Sequence, residues 1–247
     1  MAIPMSEKDF FAELTSVFKQ NGLSALLNKE KAEKLYLLTE RLLSENEKYN
    51  LTAITDPKKV ILHHYADSAT LSAHLPKGAR LCDVGCGAGF PTVPLAILRE
   101  DLKILALDAT EKRVTYVKES AALLGLSGVS TLCIRAEDAG KDAALRESFD
   151  FVTARAVAQM RILAELCLPL VKVKGKMIAM KGKNAAYELS DAKKALSLLG
   201  ARENALIEVP LKNGEEEASH PLVILDKVTK TPAAYPRPYA QISKKPL

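Results

Sequence analysis

The stretch Leu81-Cys82-Asp83-Val84-Gly85-Cys86-Gly87-Ala88-Gly89-Phe90 joins an apolar run, an acid and three glycines at every second position. It reads as a strand entering a tight turn, with a helix starting behind the turn. Glycine permits positive φ and lets a ligand approach the main chain closely. A helix start beyond such a turn offers free N–H groups to a polar or anionic ligand. The chemistry these residues suit is the holding of a cofactor. The dinucleotide fingerprint G-x-G-x-x-G puts its third glycine where this chain has Phe90. Gly89 comes one residue early, so the match to that fingerprint fails. A second acid, Asp108, ends the next apolar run, Ile104-Leu105-Ala106-Leu107. An acid about 20 residues past a glycine turn accepts hydrogen bonds from ribose hydroxyls.

Other residues could do chemistry near a substrate. His64 and Asp67 are three apart and share a helix face. Spacing alone favours a hydrogen-bonded structural pair over a substrate mouth, and His63 has no identifiable partner. Arg155 follows an apolar run at the edge where ligands bind α/β sheets. It suits a contact to an anionic cofactor group or phosphate, or a surface ion pair. Residues 172–183 carry five lysines and no acid, and Lys227, Lys230, Arg237, Lys244 and Lys245 fall in an acid-free C-terminal segment with Tyr235 and Tyr239. Such runs are often solvated faces, but two of them make a nucleic-acid partner plausible.

The chain must be large enough to position these groups. Its 247 residues, 48% apolar and 26% charged with a net charge of +5, suit one globular α/β unit with an extension. No run is long and apolar enough for a membrane span, and the start at Met1–Lys8 has no apolar leader core. The four cysteines (82, 86, 133 and 167) form no C-x-x-C pair, and there are four histidines. Metal binding and a disulfide frame are not expected, and a cytoplasmic location fits.

Helical periodicity covers most of 6–75, with Ser6 as an N-cap and Leu35, Leu38 and Leu42 as a core stripe. From Arg80 onward strands at 80–84, 103–107, 129–134, 149–154, 174–180, 204–209 and 221–228 alternate with helices at 91–99, 111–124, 158–168 and 185–199, and a short turn at 137–146. Alternation with apolar strands predicts a mostly parallel seven-stranded sheet covered on both faces. The last two strands have no helix between them. Lys212-Asn213-Gly214 and the run Glu215–Glu217 read as the loop of a terminal antiparallel hairpin. The expected organisation is a helical extension over 1–75, a Rossmann-like domain over 76–228, and a basic tail over 229–247. With four prolines and no periodicity, the tail is expected to be extended and partly mobile.

These residues resemble the RsmG (GidB) family of 16S ribosomal RNA guanine-N7 methyltransferases. The resemblance rests on Asp83–Pro91, Tyr49-Asn50-Leu51-Thr52, His64 with Asp67-Ser68, Asp108-Ala109 with Lys112-Arg113, Ala136-Glu137, Arg155-Ala156 and Lys181-Gly182. It extends to Tyr235-Pro236-Arg237 and Lys245-Pro246-Leu247. Cys86 stands where the family often has Ser or Thr, and Ala88 where Pro is common. The resemblance implies a class I S-adenosylmethionine-dependent fold. It implies methyl transfer to N7 of a guanine in the 530-loop region of 16S ribosomal RNA, with no metal. Cofactor contacts would come from Asp83, Gly85, Gly87, Gly89, Phe90, Asp108, Ala109, Thr110, Ala136, Glu137 and Arg155. Asn50, His64, Asp67, Arg155 and Lys181 would position the substrate. Lys181, Lys183, Arg237, Lys244 and Lys245 would contact RNA. The expected partner is 16S RNA in a small-subunit assembly particle, met by a monomer.

Guanine N7 carries a lone pair and no proton, so no general base is required. In agreement, Thr153-Ala154-Arg155-Ala156 lacks the Asn/Asp-Pro-Pro-Tyr/Phe of amine methylation, and no Pro-Cys pair offers a nucleophile for cytosine C5. Rival readings are another S-adenosylmethionine-dependent RNA methyltransferase, an NAD-dependent oxidoreductase, or a non-catalytic RNA-binding module. Phe90 counts against the oxidoreductase, and the intact glycine turn with Asp108 counts against the module.

Overall fold

The computed structural model describes residues 4–247. The first three residues of the expected extension, and of the Met1–Lys8 stretch, lie outside the described residues. The helical part opens with α1 (Glu7–Gln20), α2 (Lys29–Tyr49), α3 (Pro57–Val60) and α4 (Asp67–Thr70). Then follow β1 (Arg80–Val84), α5 (Thr92–Leu98), β2 (Lys103–Asp108), α6 (Glu111–Leu123), β3 (Val129–Cys133) and α7 (Ala136–Ala139). The chain continues through β4 (Phe149–Arg155), α8 (Met160–Cys167), β5 (Val171–Met180) and α9 (Ala185–Leu198). It ends with β6 (Ala201–Ile207), β7 (Pro210–Asn213), β8 (Glu216–Ser219), β9 (Leu222–Lys227) and α10 (Tyr239–Lys244).

Strands β1, β4 and β9 are buried on both faces along nearly their whole length. Burial of that kind requires helical layers above and below. The main sheet has seven strands in the order β3-β2-β1-β4-β5-β9-β6. The first five run parallel, and β9 lies antiparallel between β5 and β6. The order reverses between β1 and β4, and it is outside the strand ends at such a switch that open α/β sheets bind ligands. The mostly parallel seven-stranded sheet and its antiparallel end are therefore present as expected.

Three details differ. The Lys212–Glu217 segment is not a simple loop: β7 and β8 form a separate two-stranded sheet. Asn21 and Gln20 at the end of α1, and Glu13 within it, bond to Lys212, Gly214 and Asn213, so this hairpin lies on the N-terminal helices. Those helices share one apolar cluster with β1 and β2 through Phe10, Leu14, Leu38, Leu81 and Ile104, so the expected extension is a layer of the sheet's own core. Strand β5 begins at Val171, not at 174, because a register shift opposite Phe149 and Phe151 lets the strand continue through Lys174 and Gly175.

The tail differs as well. It is not extended: it carries α10 and is fastened by arginines from the domain. Arg146 donates to the carbonyls of Gly140, Thr231, Pro232 and Tyr235. Arg161 donates to the Pro246 and Leu247 carbonyls. Arg237, expected on RNA, instead donates to both carboxylate oxygens of Glu165 at 2.8 and 2.6 Å, and Glu165 is fully buried. Removing one partner of such a pair leaves a buried charge without compensation. Arg237→Ala is expected to lower stability by about 3–5 kcal/mol in urea unfolding. Pairing it with Glu165→Leu should recover most of that loss, whereas an unchanged midpoint for Arg237→Ala would show that the tail bears no load.

Candidate active site

Two cavities open at the C-terminal ends of β1, β2 and β4 and meet at Ala156. One, of ≈ 310 Å³, is lined by Gly85, Asp108, Ala109, Thr110, Ala136 and Glu137. The other, of ≈ 580 Å³, is lined by His63, His64, Asp67, Arg155, Lys181 and His220. Ala156 lines both, at a φ of 55° that turns the chain sharply out of β4.

The smaller cavity is built by the glycine turn. The N–H groups of Gly85 and Cys86 bond back to the Leu107 carbonyl, which ties the turn to the end of β2. At Gly85, φ is +76° and an added Cβ would lie 2.7 Å from a Val157 methyl, so a side chain there would clash with the cavity wall. Asp108 is 7% exposed as a side chain and accepts from the backbone N–H of Gly87 at 3.1 Å and of Thr110 at 2.9 Å. The Arg113 guanidinium lies 3.7 Å away. Asp83 sits behind the turn, fully buried. The Thr92 hydroxyl donates to its Oδ2 at 2.6 Å, while its Oδ1 has no partner. Burial pushes its carboxyl up to about 6, against the Thr92 hydrogen bond and the nearby Arg155 charge.

S-adenosylmethionine fits this donor set. Its ammonium group would supply the cation that a buried carboxylate with a bare oxygen lacks. Asp108 suits a pair of ribose hydroxyls and disfavours a 2′-phosphate. Among the described residues no group of three or more His, Cys, Asp or Glu side chains could hold a metal ion.

The larger cavity depends on an irregular helix. Between α3 and α4 the chain runs without a break through a π-helical segment, Ile61–Ala66. Such widened turns cluster at functional sites. Here the widening accompanies a free carbonyl at His63, which accepts from Arg155 Nη1 at 3.0 Å. The same nitrogen donates to Asp67 Oδ2 at 2.9 Å, and Nη2 bonds His64 Nδ1 at 3.1 Å. Arginine can only donate, so His64 Nδ1 accepts and its Nε2–H donates to the Thr52 hydroxyl at 3.1 Å. Burial, with the Arg155 charge second, pushes His64 down to about 3, so it is neutral. Its ring stacks on Phe90 with centroids 4.1 Å apart, and Arg155 lies over the same ring at 5.4 Å. Phe90 thus packs where a dinucleotide fold would place glycine because it carries this stack.

The expected site residues divide accordingly. Gly85, Asp108, Ala109, Thr110, Ala136 and Glu137 line the smaller cavity; Asp83, Gly87, Gly89 and Phe90 stand behind or beside it. Arg155 lines the larger cavity with His64, Asp67 and Lys181. Asn50 does not line it: this exposed residue caps α2 in the left-handed region at a φ of 49°. Lys181 is less free than its motif suggests, because its ammonium bonds Glu188 at 2.6 Å and the Ala158 carbonyl at 2.8 Å. Lys183 is exposed just beyond it, and Lys244 and Lys245 are exposed at the end of α10. The acid-free lysine run is largely neutralised from afar, with Lys172 on Asp150 and Lys176 on Asp226. His220 is not singled out by the sequence, Arg113 stands in a quoted motif with no role of its own, and Tyr239 reads only as part of a basic tail suited to RNA. Thr52 was in a quoted motif without a role. Tyr239, in the tail, lines the smaller cavity near Glu137 and is 43% exposed.

Two outcomes are expected in calorimetry with S-adenosylhomocysteine. Affinity should fall as pH drops through about 6, because a protonated Asp83 no longer favours an ammonium. Asp83→Asn should bind more weakly and lose that pH dependence. Tyr239→Ala should weaken binding by about 1–3 kcal/mol if its ring stacks on the base; unchanged affinity would confine the tail to a strap.

The rRNA small subunit methyltransferase G (GidB) family model matches residues 31–216. The chain is 42% identical to the ribosomal RNA small subunit methyltransferase G of Clostridium perfringens, over 89% of this chain and 92% of that protein. It is 46% identical to the protein of the same name from an Exiguobacterium species, over 84% of this chain and 87% of that one. Among solved structures, a SAM-dependent methyltransferase from Aquifex aeolicus superposes with a TM-score of 0.53 at 22% identity, covering 75% of this chain and 98% of that one. That likeness carries the fold, and the sequence matches carry the family. This chain belongs to the rRNA small subunit methyltransferase G family.

Proposed function

We propose that the chain transfers a methyl group from S-adenosylmethionine to N7 of a guanine in 16S ribosomal RNA. When bound, the cofactor supplies an electrophilic methyl group on a sulfonium. The observation that carries the acceptor is that none of the buried titratable groups His64, Asp67 and Asp83 is free to take a proton from a substrate. His64 is neutral with both ring nitrogens engaged. Asp67 is 3% exposed and bonded on both oxygens, by Arg155 and His220. Asp83 lies fully buried behind the glycine turn. A primary amine or a ring N–H acceptor must shed a proton on methylation, and N7 sheds none. Catalysis then rests on holding the base in line and excluding water.

The residues act as walls. Phe90 and His64 form a rigid stack, Arg155 fixes its orientation, and Ala156 leaves room where the two cavities meet. Lys59 lines the larger cavity, and Lys183 is exposed near its wall, next to the lining residue Gly182. Such cations suit phosphates on either side of an extruded base. N7 is hard to reach within an A-form helix, which supports an unpaired target in an assembling small-subunit particle. Among the described residues no helix is long and apolar enough to cross a membrane; a cytoplasmic monomer is part of the same proposal.

The test is transfer of labelled methyl from S-adenosylmethionine to 16S RNA, free or in small-subunit particles, from cells lacking the enzyme. Mass spectrometry of the product is expected to map the label to N7 of one guanine. Label on an exocyclic amine or a pyrimidine would overturn the acceptor assignment and leave the cofactor assignment standing.

A further inference from the structure

One side chain of the larger cavity has a hydrogen-bonding group left over. His220, in the connection from β8 to β9, lines the cavity with Nδ1 2.9 Å from Asp67 Oδ1. Asp67 is 3% exposed, and its other oxygen already accepts from Arg155. An ionised carboxylate only accepts, so His220 Nδ1 carries the proton in that contact. The ring is 31% exposed, and Nε2, on its opposite side, has no hydrogen-bond partner among the described residues. Hydrogen bonding to Asp67 raises the affinity of this imidazole for a second proton, against its partial burial and the Arg155 charge. With that proton, Nε2–H is a pure donor aimed from the cavity wall.

We propose that His220, as an imidazolium, is a specificity-determining residue that donates from Nε2 to the O6 carbonyl of the acceptor guanine. The inference rests on the guanine-N7 reading above. Guanine and adenine both present N7, but beside it guanine carries an acceptor and adenine an amino donor. A donor-only wall therefore accepts the first and leaves two donors facing each other with the second. Neutral His220 would keep its proton on Nδ1 for Asp67 and present a bare Nε2, which reverses that preference. The charged and titratable groups that line the cavity with the ring are Lys59, His63, His64, Asp67, Arg155 and Lys181, and Glu216 bonds His63. His63 is the close rival: its ring centroid is 5.9 Å from that of His220, but its partner Glu216 is exposed.

The experiment uses the full-length protein, saturating S-adenosylmethionine, and RNA carrying guanine, inosine or 2,6-diaminopurine at the methylated position. Inosine keeps O6, and 2,6-diaminopurine replaces it with an amine; all three keep N7. The wild type at pH 6.5 is expected to methylate guanine and inosine alike, and 2,6-diaminopurine at least tenfold more slowly in kcat/KM. His220→Phe should shrink that ratio to below threefold while keeping the cofactor affinity. His220→Arg, which retains a donor at every pH, should keep the discrimination. Raising the pH to 8.5 should erode discrimination in the wild type and not in His220→Arg. Undiminished discrimination in a folded His220→Phe protein would overturn the proposal, as would pH erosion that persists in His220→Arg and vanishes in His63→Gln. If the wild type places no methyl on N7 of guanine, the underlying reading fails instead.

Discussion

The Arg155 guanidinium is the constraint on which the site depends. It leaves the end of β4 and satisfies three acceptors at once, on a helical segment 88 to 92 residues earlier in the chain. Without it the Asp67 carboxylate would lose its arginine partner in a nearly dry environment, and the His64 ring would lose the donor that sets its tautomer. The π-helical turn makes this possible, since a regular α-helix would keep the His63 carbonyl for its own ladder. The cost of the irregular turn is offset by charge-assisted bonds, which are stronger than the neutral bonds they replace. The helical layer and the sheet edge are thereby locked at the point where the two cavities meet.

The rest of the chain supports that lock. The glycine turn brings Phe90 under His64 and Arg155, so one residue joins the turn to the side chains behind the larger cavity. The hairpin of β7 and β8 is bonded to α1, and the connection that follows it brings His220 to Asp67. On the other side, Arg146, Arg161 and Arg237 fasten the tail so that α10 begins beside the smaller cavity. Lys227, fully buried, bonds the Leu168 carbonyl and lies 3.4 Å from Glu147. Burial pushes its ammonium down to about 8, with Glu147 opposing. Of the tail's own cations Arg237 is paired internally with Glu165, while Lys230, Lys244 and Lys245 face solvent.

Much of the architecture was legible in the sequence because its signals are local. Apolar runs of strand length, glycines two apart and an acid some way past them report backbone geometry within a few residues. Asp83, the glycines and Asp108 fall where those signals put them. The remainder depends on contacts between distant positions. Arg237 meets Glu165 across 72 residues and His220 meets Asp67 across 153, and neither pair has a spacing to detect. Lys172, Lys176 and Lys181 look unpaired for the same reason, since their acids lie on neighbouring strands or a later helix. Tyr239 illustrates the limit: a tail without periodicity gives no hint that it returns to the smaller cavity. The hairpin was misread as a loop because its two strands are only four residues each.

The central claim is that this site positions a lone pair and moves no proton. The most direct test replaces N7 of the target guanine with C–H, using 16S RNA that carries a single 7-deazaguanine at the methylated position, and measures methyl transfer from labelled S-adenosylmethionine. Transfer is expected to vanish with this RNA and to proceed with the otherwise identical unmodified RNA. Transfer that persisted at that nucleotide would contradict the account, because the methyl group would then be going to an atom other than N7.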